Sequence, residues 1–203
     1  MRFVVLCLIS LLMPQLLRAQ SLFNTFEPGS YVLVNNPTQR VQGNLKLRGC
    51  TELLVKNPGG YSATLGLADV QSFRLGQQQF IKAGGFPVEQ GLDGDTIDQA
   101  FVEQVDSGRV VLMRLHFITA GPTLVGTSGL PMGSSKSYVL YLLRRAGEDT
   151  ITPLPASSKR FREALLPYLT ARPDLAKLVA DKLITTENLP KLIHALNAGA
   201  PTQ

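Results

Sequence analysis

The side chains able to do chemistry are few, and their spacing decides most of what they could do. Asp93, Asp95 and Asp98 place three carboxylates within the six-residue stretch Asp93-Gly94-Asp95-Thr96-Ile97-Asp98, which suggests calcium. A calcium loop of the helix–loop–helix type puts oxygen ligands at alternate positions, glycine at the sixth and a bidentate glutamate at the twelfth. Here the sixth position is Asp98 and the twelfth is Gln104, so the pattern fails and a solvated turn accounts for the acids. Transition metals lack donors: the histidines are His116 and His194, with Cys50 the one thiol outside the N-terminal apolar segment.

Nucleophilic catalysis fares no better. The strand–turn–helix elbow Gly-x-Ser-x-Gly is absent, and Gly126-Thr127-Ser128-Gly129 has the wrong spacing. A Cys50–His116 pair is what remains for a nucleophile and a base, with no local signature around either residue. His116 also alternates with Leu115 and Phe117, which places it on the surface of its strand. Gly84-Gly85 lacks the Lys-Ser/Thr of a phosphate cradle, and no Gly-x-Gly-x-x-Gly opens a helix. The chain has no Trp and few Tyr, so an aromatic carbohydrate platform is missing as well. These patterns assign no catalytic, cofactor-binding or metal-ligating residue.

The elements that would position such groups begin with an export signal over residues 1–19. Arg2 supplies the basic start, Phe3 to Met13 form an apolar run broken only by Ser10, and Pro14 ends it. Ala19 fits the residue before a peptidase cut, and Leu17 fits less well two positions earlier. An apolar run this short does not cross a hydrocarbon core that needs about 20 residues, so cleavage is expected rather than anchoring. Cys7 has no lipoprotein box before it. The signal takes Arg2 and Arg18 of the 20 basic residues with it, leaving 18 against 15 acidic ones, a net charge of +3. So mild a bias, on an exported chain, argues against nucleic acid and against a polybasic membrane patch. It also takes Cys7, so Cys50 has no internal disulfide partner. Cys50 could bridge two copies, but the plainer reading is a small buried hydrophobe.

The expected fold class is α+β: an antiparallel β-rich region over residues 20–155, then about three short helices over 156–203 packed on it as one folded unit. Val41, Gly43, Leu45 and Leu47 alternate with Gln42, Asn44, Lys46 and Arg48, the pattern of a half-buried antiparallel strand. Phe101 to Val105 and Val110 to Phe117 flank Asp106-Ser107-Gly108 as a hairpin. Gly121 to Ser135 reads as a flexible loop, and the apolar run Tyr138 to Leu143 as the centre of the sheet. In the tail, Phe161, Ala164, Leu165, Tyr168 and Leu169 share a helix face, with Pro167 forcing a kink. Leu175, Leu178 and Val179 make a second stripe, and Leu189, Leu192, Ile193 and Leu196 a third. Their expected partners are the sheet and each other.

Tyr31 to Val34, a polar turn and Val41 to Leu47, followed by Ala68-Asp69-Val70-Gln71-Ser72-Phe73, the Phe101–Val105 and Val110–Met113 hairpin, and the helical tail, resemble a family of uncharacterised exported proteins of Bacteroidota. The resemblance spans nearly all of the mature chain through short apolar motifs. Met113-Arg114, where an aromatic is common, and the long Gly121–Ser135 segment depart from it. It implies export and carries over no catalytic residue. The leading functional expectation is therefore a non-enzymatic binding or assembly module. It would work in the periplasm or cell envelope on an envelope protein or ligand, through exposed strand edges. The rival is an enzyme whose site gathers scattered polar residues such as Cys50 and His116 with acids in a deep pocket.

Overall fold

The structure, a computed structural model, describes residues 25–57, 59–88, 96–125 and 131–199, and of residues 118–125 and 131–136 the backbone alone. The N-terminal segment expected to be an export signal, Asp93, Asp95 and the glycine-rich stretch 126–130 lie outside the described residues. Mostly antiparallel sheet with short helices near the C-terminus, the architecture is broadly α+β.

In chain order the strands are β1 (Glu27–Leu33), β2 (Asn36–Arg48), β3 (Glu52–Lys56), β4 (Ser62–Gly66), β5 (Val70–Leu75) and β6 (Gln78–Ala83). They continue with β7 (Phe86–Pro87), β8 (Thr96–Ile97), β9 (Ala100–Asp106), β10 (Val110–Val125), β11 (Pro131–Arg145) and β12 (Thr152–Leu154). The helices are α1 (Ser158–Leu165), a 3-10 turn at Leu166–Leu169, α2 (Pro173–Ala180) and α3 (Leu189–Asn197). Ten strands pair in the order β12-β11-β10-β9-β6-β5-β1-β2-β3-β4, and β7 pairs with β8 apart from them.

A sheet this wide must curl to bury its apolar face. The first seven strands of its β4-to-β9 side wrap around Leu45, Leu47, Leu53, Val55, Phe73 and Phe80. Gly29 permits the tight curl: a Cβ there would lie 2.2 Å from the Arg74 carbonyl oxygen. Phe73 stacks on Phe80 at 4.6 Å and meets Phe101 edge-on at 5.1 Å. The turn at Cys50 reaches across to β9, where the Phe101 N–H donates to the Cys50 carbonyl at 2.7 Å.

On the other side of the sheet both faces are covered. Val110, Leu112, Leu143 and Leu154 pack under the helices, with Phe161, Leu165, Leu169, Val179, Leu192 and Ile193. Val111, Met113, Leu115, Leu140 and Leu142 face the opposite way, toward Phe86 and Val88. That double burial explains the continuous apolar run of β11, which lies next to the edge strand β12 and not at the sheet centre as expected.

The second correction concerns Gly121–Ser135. β10 runs on to Val125 and β11 starts at Pro131, paired from Val110↔Arg145 to Val125↔Pro131 with one irregularity between Ala120 and Thr123. The segment belongs largely to a long hairpin, not a loop. Gly and Ser are poor strand formers in isolation, but a ladder anchored by the buried 110–117 and 138–143 stretches propagates through them.

The tail folds as its stripes suggest. Pro167 ends α1 and the chain tightens into the 3-10 turn. Tyr168 fastens this turn: its hydroxyl meets Thr152 Oγ1 at 2.7 Å, and the Arg145 guanidinium lies 5.0 Å from its ring. The buried Arg172 binds Asp174 through two nitrogens, at 2.9 and 2.6 Å, and donates to the Ala195 carbonyl at 3.1 Å, joining α2 to α3.

Candidate functional site

A partly buried polar cluster lies where β9 and β10 part. Glu103 on β9 sits opposite Arg114 on β10, the last residue pair these strands share. Arg114 Nε donates to Glu103 Oε2 at 2.9 Å, and Arg114 Nη2 donates to Oε1 at 2.8 Å and to Oε2 at 2.7 Å. His116 Nε2 meets Glu103 Oε2 at 3.1 Å. On β11, Tyr141 faces Arg114 and adds a favourable interaction to its charge. The Glu103 side chain is 7% exposed and His116 14%, so His116 is largely buried rather than on the surface. The alternation of β10 was read correctly, but the second face of the strand is covered too.

Burial alone would raise the Glu103 pKa, yet the His116 hydrogen bond and the Arg114 charge and hydrogen bonds outweigh it and hold the carboxyl below its ordinary range. Burial likewise opposes the Arg114 charge, and Glu103 more than offsets it. The cluster therefore keeps a carboxylate ionised between two basic side chains. A general acid or base works best with a pKa near the working pH, and Glu103 is driven away from that. As chemistry, the arrangement is an ion-pair lock.

Cys50 and His116 are not brought together as a catalytic pair. Cys50 packs against the Val111, Met113 and Leu115 cluster, whereas His116 bonds to Glu103 on the alternate face of β10. Burial also pushes the Cys50 thiol pKa up, the wrong direction for a nucleophile. Asp98 lies between β8 and β9, and among the described residues no group of three or more His, Cys, Asp and Glu could hold a metal ion. No helix among them is long and apolar enough to cross a membrane, which says nothing of strands.

Sequence reasoning passed over Glu103. Its signal was there: Phe101, Glu103 and Val105 alternate onto one face, as do Leu112, Arg114 and His116. The pairing was hidden by an irregularity between Leu112 and Met113, where the register slips by one residue and brings Arg114 opposite Glu103 instead of Gln104.

Two further features flank the sheet. Asn197 of α3 treats Val110 as a strand partner would: its Oδ1 accepts the Val110 N–H at 2.9 Å, and its Nδ2 donates to the Val110 carbonyl and to Asp106 Oδ1, both at 2.8 Å. His194 Nδ1 lies 3.0 Å from Asp106 Oδ2. At the far end, Leu33, Val34, Asn35, Leu65, Ala68 and Asp69 line an open cavity of about 350 Å³. Comparison with protein-family models, with curated proteins and with solved structures finds no match.

Proposed function

We propose that the chain is an exported, non-enzymatic binding or assembly module of the cell envelope, and that the β10–β11 hairpin is its contact element. One observation carries this reading. β10 pairs with β9 no further than Arg114, and β11 pairs with β12 only over Tyr141–Leu143. From Phe117 to Val125 and from Pro131 to Val139, the backbone ladder of each strand runs, among the described residues, to the other strand alone. At about 3.4 Å per residue, the eleven residues after Arg114 extend roughly 35 Å. The outward N–H and C=O groups of a two-stranded arm of this kind are templates for pairing with another chain.

The sequence of the arm supports the same reading. Residues 117–135 contain no Asp, Glu, Lys, Arg or His, and Lys136 is the one charged residue between Phe117 and Val139. The ion-pair lock at Glu103 and Arg114 sits at the arm's root and fixes where it leaves the sheet. The N-terminal apolar segment and the resemblance to exported Bacteroidota proteins support placement in the envelope.

The test replaces residues 118–137 with Asn-Gly. Ala146 N–H donates to the Arg109 carbonyl at 3.0 Å, so alternate pairs down the ladder, Phe117–Tyr138 among them, are the hydrogen-bonded kind that a two-residue turn closes. Envelope protein captured by the parent chain and lost with the shortened one supports the reading. Identical capture by both contradicts it.

A further inference from the structure

We infer that β4 takes up an extended segment of another polypeptide as an added strand, one of whose apolar side chains enters the cavity beside Leu65. This rests on the reading of the chain as a binding module, but on a different part of it from the arm. The hydrogen-bond ladder gives the direction of each group. Asn57 N–H donates to the Tyr61 carbonyl at 2.9 Å, so by alternation along the β3–β4 register, Ala63 and Leu65 also bond to β3. The N–H and C=O groups of Ser62, Thr64 and Gly66 then point outward. Those of Gly66 are already engaged: its N–H donates to Asp69 Oδ2 at 2.8 Å, and its carbonyl accepts the Asp69 N–H at 3.1 Å. Among the described residues four outward groups remain, on Ser62 and Thr64, enough for a short added strand.

The two ends of the large sheet are treated differently. β12 is three residues long, carries Pro153, and packs its Leu154 with Phe161 of α1. Short length, proline and a covering helix are the usual protections of an edge. β4 has none of them: Ser62 to Gly66 holds no charge and no proline. Tyr61, 72% exposed, and Val34, 46% exposed, lie toward its two ends.

The cavity sets the chemistry of the occupant. Leu65 shares its face of β4 with Ala63, so a residue of the added strand on that same face lies beside the opening. Leu33, Leu65 and Ala68 supply apolar walls, and Asp69 is the one ionisable residue lining them. The segment that fits is an extended strand free of acidic residues, with a large apolar side chain for the cavity and a basic residue toward Asp69.

Fluorescein-labelled heptapeptides of alternating Thr and Val with a central Phe and terminal Lys are the probe, titrated by anisotropy onto the mature chain. Binding is expected, and it should slow amide exchange at Ser62 and Thr64 in the parent protein. Thr64→Pro removes an outward N–H without touching a bond to β3, and should weaken binding at least about tenfold, since each 1.4 kcal/mol is a factor of ten. Ala68→Glu, with a second carboxylate in the cavity, should weaken it similarly. Unchanged exchange at Ser62 and Thr64, or equal binding by Thr64→Pro, overturns the inference. So does a self-dimer abolished by Thr64→Pro, which would give the edge to a second copy. The arm-shortened chain separates the two claims. If it binds the peptide but loses partner capture, both stand; if the peptide fails on either chain while capture depends on the arm, only the β4 inference falls.

Discussion

Arg114 grips Glu103 through two nitrogens, Nε at 2.9 Å and Nη2 at 2.8 Å from separate carboxylate oxygens, at the last pair that β9 and β10 share. Beyond this point the backbone ladder of β10 continues, among the described residues, with β11 alone, while the His116 side chain still reaches back to Glu103. A buried pair is weak evidence for net stability, because desolvation offsets the attraction, but breaking one partner leaves the other charge stranded. Glu103→Gln should therefore destabilise the chain by about 2–4 kcal/mol, below the upper end for fully buried pairs because Arg114 keeps some contact with water. Urea unfolding measures it. A loss under about 0.5 kcal/mol, the range of ordinary surface changes, would mean the lock does not hold the root of the arm.

The same carboxylate gives a pH dependence of known sign. Its pKa in the folded chain lies below its ordinary value of 4.5. The unfolded chain thus binds the proton first. The stabilisation is complete above about pH 4.5 and is lost as pH falls through the folded value. Unfolding curves from pH 6 down to pH 3 should show parent and Glu103→Gln converging; parallel curves would contradict the assignment.

Asn197 offers a second, independent test at the junction of helix and sheet. Asn197→Ala removes its bonds to both backbone groups of Val110 and to Asp106, and should cost about 2–3 kcal/mol, since buried backbone groups lose their partner. Gly108 sits against it so closely that a Cβ would lie 2.6 Å from Asn197 Cγ. Gly108→Ala should destabilise the parent yet cost less in the Asn197→Ala background, because the obstruction is gone. Simple additivity in the double-mutant cycle would refute the contact.

Cys50 should be sluggish. Its thiol is packed against an apolar cluster and its pKa is pushed up by burial. Alkylation by iodoacetamide at pH 7.5 is expected to be slow in the native chain and to speed up several-fold in denaturant. Non-reducing electrophoresis should show a monomer for both the parent and Cys50→Ser. A disulfide dimer in the parent alone would reverse the reading of this residue as packing.

Much of the fold was legible because burial writes periodicity. Val41 to Leu47 alternates, and the stripe Leu189, Leu192, Ile193 and Leu196 repeats at helical spacing; both are buried on the face their spacing implies. β4 was not legible: Ser62 to Gly66 is half-exposed and carries no β-branched or apolar run, so pairing with β3 defines it rather than its own residues. The arm was misread for the same reason, since a ladder started by buried residues extends through Gly and Ser. The Glu103–Arg114–His116 cluster depended on a one-residue slip in register, which no composition or spacing announces.

The central claim, that the β10–β11 arm is the contact element of an exported binding module, is tested most directly by quantitative capture from the envelope fraction. The parent chain and the chain with residues 118–137 replaced by Asn-Gly are compared at equal loading, each first shown to unfold cooperatively. The account predicts a partner retained by the parent and lost from the shortened chain. The same proteins recovered by both, in the same amounts, would contradict it.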